Sequence, residues 1–329
     1  MSENEIQENR ALCEKALECW FLTGATASGK TTVALELATQ LDAEIISLDS
    51  MAIYRGMDIG TAKPNAEQRS RVPHHLLDMV DPNESFSVTQ YRDMAHEKID
   101  EIRARGKQVI FAGGTALYLK GLLRGIFDGP AADWEFRKAI EKELEEVGIA
   151  KLYERLAQVD PVSAQKLHPN DTRRIIRALE VYTTTGKPIS HLHTEFEFST
   201  PPEACRVFAI RHPRPVLHQR IEERVATMFD QGLIEEVRGL LEKWGTLGQT
   251  AAQAVGYKEV LDFVRSGEGS AELRAETFEK VLTRTRRFAR HQETWFRGLR
   301  ECRILDLTPE MTPASIAESL VAMSESTAS

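Results

Sequence analysis

The run Gly24-Ala25-Thr26-Ala27-Ser28-Gly29-Lys30-Thr31 sets two glycines, a lysine and a hydroxyl residue at the spacing of a phosphate-binding loop. Backbone N–H groups of such a turn, followed by a helix N-terminus, cradle anionic oxygens. Gly24 and Gly29 allow backbone conformations that a Cβ would obstruct. Lys30 supplies a point charge to the phosphates, and the Thr31 hydroxyl is the expected ligand of Mg²⁺. This pattern specifies phosphate but not nucleotide. The loop could hold ATP for a kinase, or the diphosphate leaving group of another substrate.

A second reactive group is Asp49, at the end of the strand-like run Glu44–Leu48. In an open α/β sheet the C-terminal ends of strands converge on the ligand crevice, which brings Asp49 near the loop. It could act as a general base or as an indirect Mg²⁺ ligand, or simply cap the Ser50-Met51-Ala52 turn that follows.

The elements that must position these groups are legible as periodicities. Trp20-Phe21-Leu22-Thr23 is an apolar run entering the loop, and Val33, Ala34, Leu37, Ala38 and Leu41 follow at helical spacing. Further strand-like runs at Gln108–Ala112, Cys205–Arg211 and Cys302–Leu307 alternate with helical patterns, indicating a parallel sheet covered on both faces. Between the turn-rich breaks Gly125–Pro130 and Pro201-Pro202 only helical stretches occur, near Trp134–Val147, Ala150–Gln158 and Asp171–Thr185. The expected fold class is therefore α/β, with a P-loop NTPase-like parallel sheet core and an inserted all-helical subdomain. Residues 20–125 and 203–310 would form the core and 126–202 the insertion, with tails at 1–19 and 311–329. A long helical pattern from Ala271 to Phe296 belongs to the core, and residues after Met323 read as disordered.

Composition narrows the partners. A hydrophobic fraction of 42% and a charged fraction of 28% describe a globular chain, and no apolar run is long enough to cross a bilayer. The polar start and four scattered cysteines without a C-x-x-C pair point to a reducing cytoplasm rather than to a disulfide framework or zinc site. The isolated His191 and His193 read as surface residues. The net charge of −8 argues against nucleic acid, yet the charge is segregated. Arg173, Arg174 and Arg177 cluster mid-chain, and Lys280 to Arg300 contains seven basic residues opposed only by Glu293. An RNA partner stays open.

Longer blocks carry a resemblance. Asp49-Ser50-Met51-Ala52-Ile53-Tyr54-Arg55-Gly56-Met57-Asp58-Ile59-Gly60-Thr61-Ala62-Lys63-Pro64 resembles the signature of the tRNA dimethylallyltransferases. So do Gly113-Gly114-Thr115-Ala116-Leu117-Tyr118, His168-Pro169-Asn170-Asp171, Arg177-Ala178-Leu179-Glu180, Gly186-Lys187-Pro188, Val255-Gly256-Tyr257 and the ending Arg290 to Arg297, in the family's order. The resemblance implies transfer of a dimethylallyl group from its diphosphate to N6 of the adenosine 3′-adjacent to a tRNA anticodon; a monomer is the expected state. It implies that the loop from Gly24 to Thr31 holds the diphosphate, with Thr26 and Lys30 in contact and Mg²⁺ at Thr31.

Carried over residue by residue, the resemblance makes Asp49 the acceptor for the amine, Thr115 a contact to the target nucleotide, and Arg220 an arginine reaching the diphosphate. Implied tRNA contacts are Asp49, Ser50, Met51, Ala52, Thr115, Arg137, Arg173, Arg174, Ile175, Ile176 and Arg177. For the arginines a solvated helix face is the competing explanation, and Thr115 could serve only as a helix N-cap. The basic helix near Arg284–Arg290 could grip phosphates or pack over the core through Phe288, Trp295 and Phe296. Ala25 stands where many relatives have proline, and no Cys/His spacing matches the zinc finger of eukaryotic relatives. The alternatives are a small-molecule kinase using ATP and an enzyme prenylating free adenine nucleotides.

Overall fold

A computed structural model of the chain describes residues 3–125, 129–130, 132–192, 201–202, 205–267 and 270–325. Six strands form one parallel sheet: β1 (Trp20–Gly24), β2 (Ala43–Ser47), β3 (His74–His75), β4 (Gln108–Ala112), β5 (Arg206–Arg211) and β6 (Cys302–Asp306). Their order is β3-β2-β4-β1-β5-β6, a P-loop NTPase-like core with the phosphate loop on a central strand. Sequence periodicity finds five of the six. β3 pairs only His74 and His75 with β2 and is too short to show a period.

The strands read as continuous apolar runs because both faces are covered, and alternation sends neighbours to opposite sides. Phe21, Ile46, Phe111 and Val207 point into one cluster, where the rings of Phe21 and Phe111 stack at 4.8 Å. Trp20, Leu22, Ile45, Ile110 and Phe208 point into the other. The first face is covered by the end of α1 (Glu3–Leu17), by α4 (Val88–Ala104) and by α5 (Ala116–Arg124). The second is covered by α2 (Lys30–Leu41), while the short α3 (Ala66–Arg71) precedes β3.

By contacts the chain divides into two compact units, one of Met1–Ala11 and Arg124–Phe198, the other of Leu12–Leu123 and Ser199–Ser329. The smaller unit is helical among its described residues: α6 (Trp134–Val159), α7 (Pro161–Lys166), α8 (Thr172–Thr185) and α9 (Ile189–Leu192). Asp133 caps α6 through the Phe136 N–H at 3.0 Å. The break expected between two helices falls at Gly148, whose φ of 79° leaves the helical region. Gly186 ends α8 with a left-handed φ of 70°, which glycine adopts without a Cβ penalty. Ile140, Leu152, Leu156, Ile175 and Leu179 make this unit's own core.

In the larger unit, α10 (Arg214–Asp230), α11 (Leu233–Trp244), α12 (Gln249–Ala252), α13 (Tyr257–Arg265) and α14 (Ala271–Gly298) build a third core with Ile53, Tyr54 and Met57. The stretches set aside as tails differ from expectation. Ala16 at the end of α1 is fully buried, and Lys15 pairs with Asp100 at 2.7 Å. At the other end α15 (Pro313–Glu325) buries Ile316, Ala317 and Leu320 against α2. Ile316, Ala317 and Leu320 do recur at helical spacing, but the pattern covers little more than one turn just past a strand. Residues 326–329, the rest of the stretch read as disordered, lie outside the described residues.

Candidate active site

The phosphate loop is shaped by its glycines. Gly24 closes β1 with φ of +146°, and a Cβ there would lie 2.6 Å from the Ile210 carbonyl oxygen. Gly29, at φ +87°, is the N-cap of α2, so the first N–H groups of that helix face outward without intrahelical partners. Ala27 is left-handed at φ 63°, a conformation that costs a non-glycine residue about 1 kcal/mol. The Ser28 hydroxyl is buried with no hydrogen-bond partner among the described residues. An orphaned hydroxyl, uncapped helix amides and a strained turn together make a cradle suited to an anion.

Lys30 donates to the Ala25 carbonyl at 2.7 Å across the same turn. Burial first, and then the nearby charge of Arg224, push its ammonium down to about 7 against the opposing pull of Asp49. A buried cation with so little counter-charge is electrostatically prepared for phosphate. Arg220 lies on the outer side of the loop, its Nε donating to the Ala27 carbonyl at 2.8 Å.

Asp49 follows β2 and satisfies two expectations at once. Its Oδ1 accepts from the Met51 and Ala52 N–H groups at 2.8 and 3.3 Å, which is the capping role. The same residue also lines a cavity of about 110 Å³ shared with Thr26, Lys30, Thr31, Ala52, the Gly113-Gly114 turn, Arg224, Phe288 and Gln292. Thr115 is not in that wall. Its hydroxyl accepts from the Ser50 N–H at 2.9 Å and reaches Ser50 Oγ at 3.3 Å, while its carbonyl starts α5. Thr115 therefore holds the Asp49-Ser50 turn in place. Gly113 lets β4 pass that turn, since a Cβ there would sit 2.2 Å from the Leu48 carbonyl oxygen.

Three residues of this region escaped the sequence reading. Gln292 of α14 accepts from the Thr26 N–H at 2.8 Å and donates to the Gly114 carbonyl at 2.9 Å, stapling the phosphate loop to the β4 turn. Arg224, one helical turn beyond Arg220, donates to the Thr61 carbonyl at 3.3 Å and lines the 110 Å³ cavity. Its spacing from Arg220 could have revealed it. Glu236 accepts from the Asp58, Ile59 and Gly60 N–H groups at 3.0, 2.7 and 3.4 Å, fixing the loop after Tyr54. That loop is pinned from within by Lys63, which meets Asp58 and Asp78 at 2.6 Å each.

For a divalent cation, the described residues contain no group of three or more His, Cys, Asp or Glu side chains able to hold one. Thr31 lines the cavity beside Lys30 and Asp49. One hydroxyl beside a phosphate cradle fits Mg²⁺, which takes most of its ligands from water and substrate phosphates.

In the helical unit the expected RNA-facing residues separate. Glu180 is fully buried and accepts both Nε and Nη2 of Arg137 at 2.8 Å, the Nη1 of Arg177 at 2.5 Å and the Asp133 N–H at 2.8 Å. Burial alone would raise the Glu180 carboxyl, but the hydrogen bonds from Arg137 and Arg177 hold it below the usual range. Arg137 and Arg177 thus have an internal task. Ile175 and Ile176 are core residues, 0% and 6% exposed, so their side chains are not available to a partner. Arg173 and Arg174 are exposed, and Arg174 has only a 3.5 Å contact with Asp171. His191 is exposed, and His193 lies outside the described residues.

A phosphate loop on a central parallel strand, facing an acid from β2 on the far side of β4, puts this chain among the P-loop proteins. Within that class the chain belongs to the IPP transferase family, whose description it matches over residues 52–299. It is 48% identical over 319 residues to a tRNA dimethylallyltransferase of Rhodopirellula baltica, covering 92% of this chain and 94% of that one. Among solved structures it is similar to the tRNA isopentenylpyrophosphate transferase of Bacillus halodurans, with a TM-score of 0.66, 34% identity, and 95% and 98% of the two chains covered. A eukaryotic dimethylallyltransferase acting on tRNA matches with a TM-score of 0.69 at 28% identity, over 88% of this chain and 74% of that chain.

Proposed function

We propose that this protein transfers a dimethylallyl group from dimethylallyl diphosphate to N6 of the adenosine 3′-adjacent to the anticodon of tRNA, releasing diphosphate. The observation that carries the reading is the meeting of Lys30 and Asp49 in one cavity, an anion cradle facing a carboxylate. The adenine amine is a weak nucleophile because its lone pair is delocalised into the ring. The allylic carbon is reactive only if the departing diphosphate is neutralised.

The division of labour follows. Amides of the Gly24–Thr31 loop and the Lys30 ammonium receive the diphosphate as its C–O bond breaks, and Arg220 closes the outer side of the loop. Asp49 accepts a hydrogen bond from N6 as the N–C bond forms and takes the proton the amine sheds. Thr115 and Ser50 keep the Asp49 turn in register with β4. Mg²⁺, held by Thr31 and diphosphate oxygens, would supply further charge neutralisation. Arg173 and Arg174 offer positive charge to the tRNA backbone. The target base must leave its stack, which is least costly in a single-stranded loop. We expect a monomer, and a tRNA substrate is what supports a cytoplasmic setting. Among the described residues no helix is long and apolar enough to cross a membrane.

The test is transfer of labelled prenyl from dimethylallyl diphosphate to an anticodon stem-loop without ATP. Phosphate transfer from labelled ATP would point to a kinase, and preference for AMP over the stem-loop to a free-nucleotide prenyltransferase; either result sinks the proposal.

A further inference from the structure

Glu236 of α11 is a half-buried carboxylate that forms no ion pair with a described residue; its donors are all neutral. Oε2 accepts from the Asp58 and Ile59 N–H groups at 3.0 and 2.7 Å, and Oε1 from the Gly60 N–H at 3.4 Å and the Tyr257 hydroxyl at 2.6 Å. Burial, and after it the Glu236 charge, push the Tyr257 phenol well above its ordinary range, so it remains a donor. Gly60 makes room for that ring, since a Cβ there would lie 2.4 Å from Tyr257 Cε2. Successive amides turned toward one point form an anion nest, and here the protein fills the nest with its own acid. Hydrogen bonds to an ionised acceptor are about twice as strong as neutral ones, so the clasp holds the peptide units of Asp58–Gly60 in one geometry.

What the clasp holds is a wall. Beyond Gly60 the chain turns tightly: the Ala62 N–H returns to the Ile59 carbonyl and the Lys63 N–H to the Asp58 carbonyl, both at 3.0 Å, with Ala62 left-handed at φ 50°. Ala62, Lys63 and Pro64 border both the 110 Å³ cavity of Lys30 and Asp49 and an outer cavity of about 700 Å³, so this turn is the partition between them. Arg224 lines both cavities, and its one hydrogen bond to a described residue is the 3.3 Å bond to the Thr61 carbonyl. A guanidinium has five N–H donors, so most of this one is left to the cavity. The Lys63 pairs with Asp58 and Asp78 tie the turn to itself and to the segment after β3. Glu236 instead ties it to α11, in the same helical layer as α10, which carries Arg224.

We propose that Glu236 is a positioning residue for prenyl transfer. By fixing Asp58–Gly60 it sets the Thr61 carbonyl, and through that carbonyl it keeps the Arg224 guanidinium on the wall beside Lys30 and Asp49. Glu236 touches neither substrate; its effect reaches the prenyl donor through Arg224. The role rests on the reading of the Gly24–Thr31 loop as the holder of diphosphate, and adds the group that fixes a cation on the inner side of that site.

The test is calorimetric binding of inorganic diphosphate to the full chain, beside anisotropy binding of an anticodon stem-loop, with thermal melts establishing that each variant is folded at the assay temperature. Glu236→Ala is expected to weaken diphosphate binding about 10-fold and to raise the KM for the prenyl donor in step, with stem-loop affinity and the KM for tRNA unmoved. Glu236→Asp keeps the charge but is one methylene short of spanning the amides and Tyr257. It should weaken diphosphate binding about threefold, and it replaces Glu236→Ala throughout if that variant does not fold. Arg224→Ala should weaken binding about 10-fold, and adding the Glu236 substitution to it should cost nothing more, because both act through one guanidinium. Wild-type diphosphate affinity in the folded Glu236 variant overturns the role, and so do losses that multiply in the double variant. Diphosphate binding is read without transfer, so the two proposals fail separately. Glu236-dependent binding by a protein that moves no prenyl group would remove only the activity. Full prenyl transfer with Glu236-independent binding would remove only the positioning role.

Discussion

The cavity around Lys30 and Asp49 and the arginine cluster of the helical unit are built on opposite principles. In the first, backbone does most of the shaping: Gly24 and Gly113 permit approaches that a side chain would forbid, and Gly29 permits a left-handed turn. In the second, side chains decide everything, and one buried acid sorts the cations. Glu180 takes Arg137 and Arg177 into internal ion pairs and leaves Arg173 and Arg174 outside. A motif that depends on backbone shape keeps its meaning wherever it occurs. A charge cluster gets its meaning from which acids the fold buries beside it, as Glu180 is buried beside Arg137 and Arg177.

The largest expected effect breaks the comparison on the cavity side. Asp49→Ala should lower kcat by about 10²- to 10⁴-fold while stem-loop affinity stays near wild type, since a general base acts on the reacting proton alone. Wild-type turnover, measured by single-turnover kinetics, would demote Asp49 to the turn cap that its bonds to Met51 and Ala52 also describe.

On the helical side, Glu180→Gln should cost about 2–3 kcal/mol in a denaturant melt, because two guanidinium groups lose a buried partner. Unchanged stability would return Arg137 and Arg177 to the set available for RNA.

A third experiment sharpens the electrostatics of the cradle. Lys30 in the free folded protein loses its proton above about pH 7, whereas in the unfolded chain it keeps it to near the ordinary lysine value of 10.5. The unfolded state therefore binds more protons across that window, and stability of the ligand-free protein should rise with pH between about 7 and 10.5. Binding diphosphate restores the charge, so its Kd should weaken by up to about tenfold per pH unit above 7. Lys30→Met should abolish both slopes; calorimetry with inorganic diphosphate at stepped pH reads the second.

The smallest effect tests the exposed arginines. Arg174→Ala should raise the KM for tRNA by about two- to fivefold and soften its salt dependence, with the KM for the prenyl donor unmoved. An unchanged tRNA KM makes Arg173 and Arg174 a solvated face.

Most of the sheet and the heart of the site could be read from residue order. Buried parallel strands announce themselves as apolar runs, and the phosphate loop and Asp49 occupy fixed places at strand ends. β3 was invisible because two residues have no period, and α15 because its three buried residues follow a strand in a stretch that looks like an ordinary tail. Gln292 and Glu236 were missed for another reason. Each acts through hydrogen bonds to loops that are remote in sequence, and an amide or carboxylate on a helix gives no local sign of such a partner. The internal pairing of Arg137 and Arg177 is not legible because nothing near them in sequence discloses that Glu180 is buried.

The staple at Gln292 also bears on how the protein comes into being. A chain emerging from the ribosome carries the phosphate loop, Asp49 and the Gly113-Gly114 turn within its first 125 residues. It still lacks Arg220 and Arg224, and the amide that ties Thr26 to Gly114 arrives only at residue 292 of 329. The phosphate motif thus takes its staple from a residue more than 260 positions downstream, and a fragment that stops short of α14 would carry the whole motif without the amide that ties it to the β4 turn.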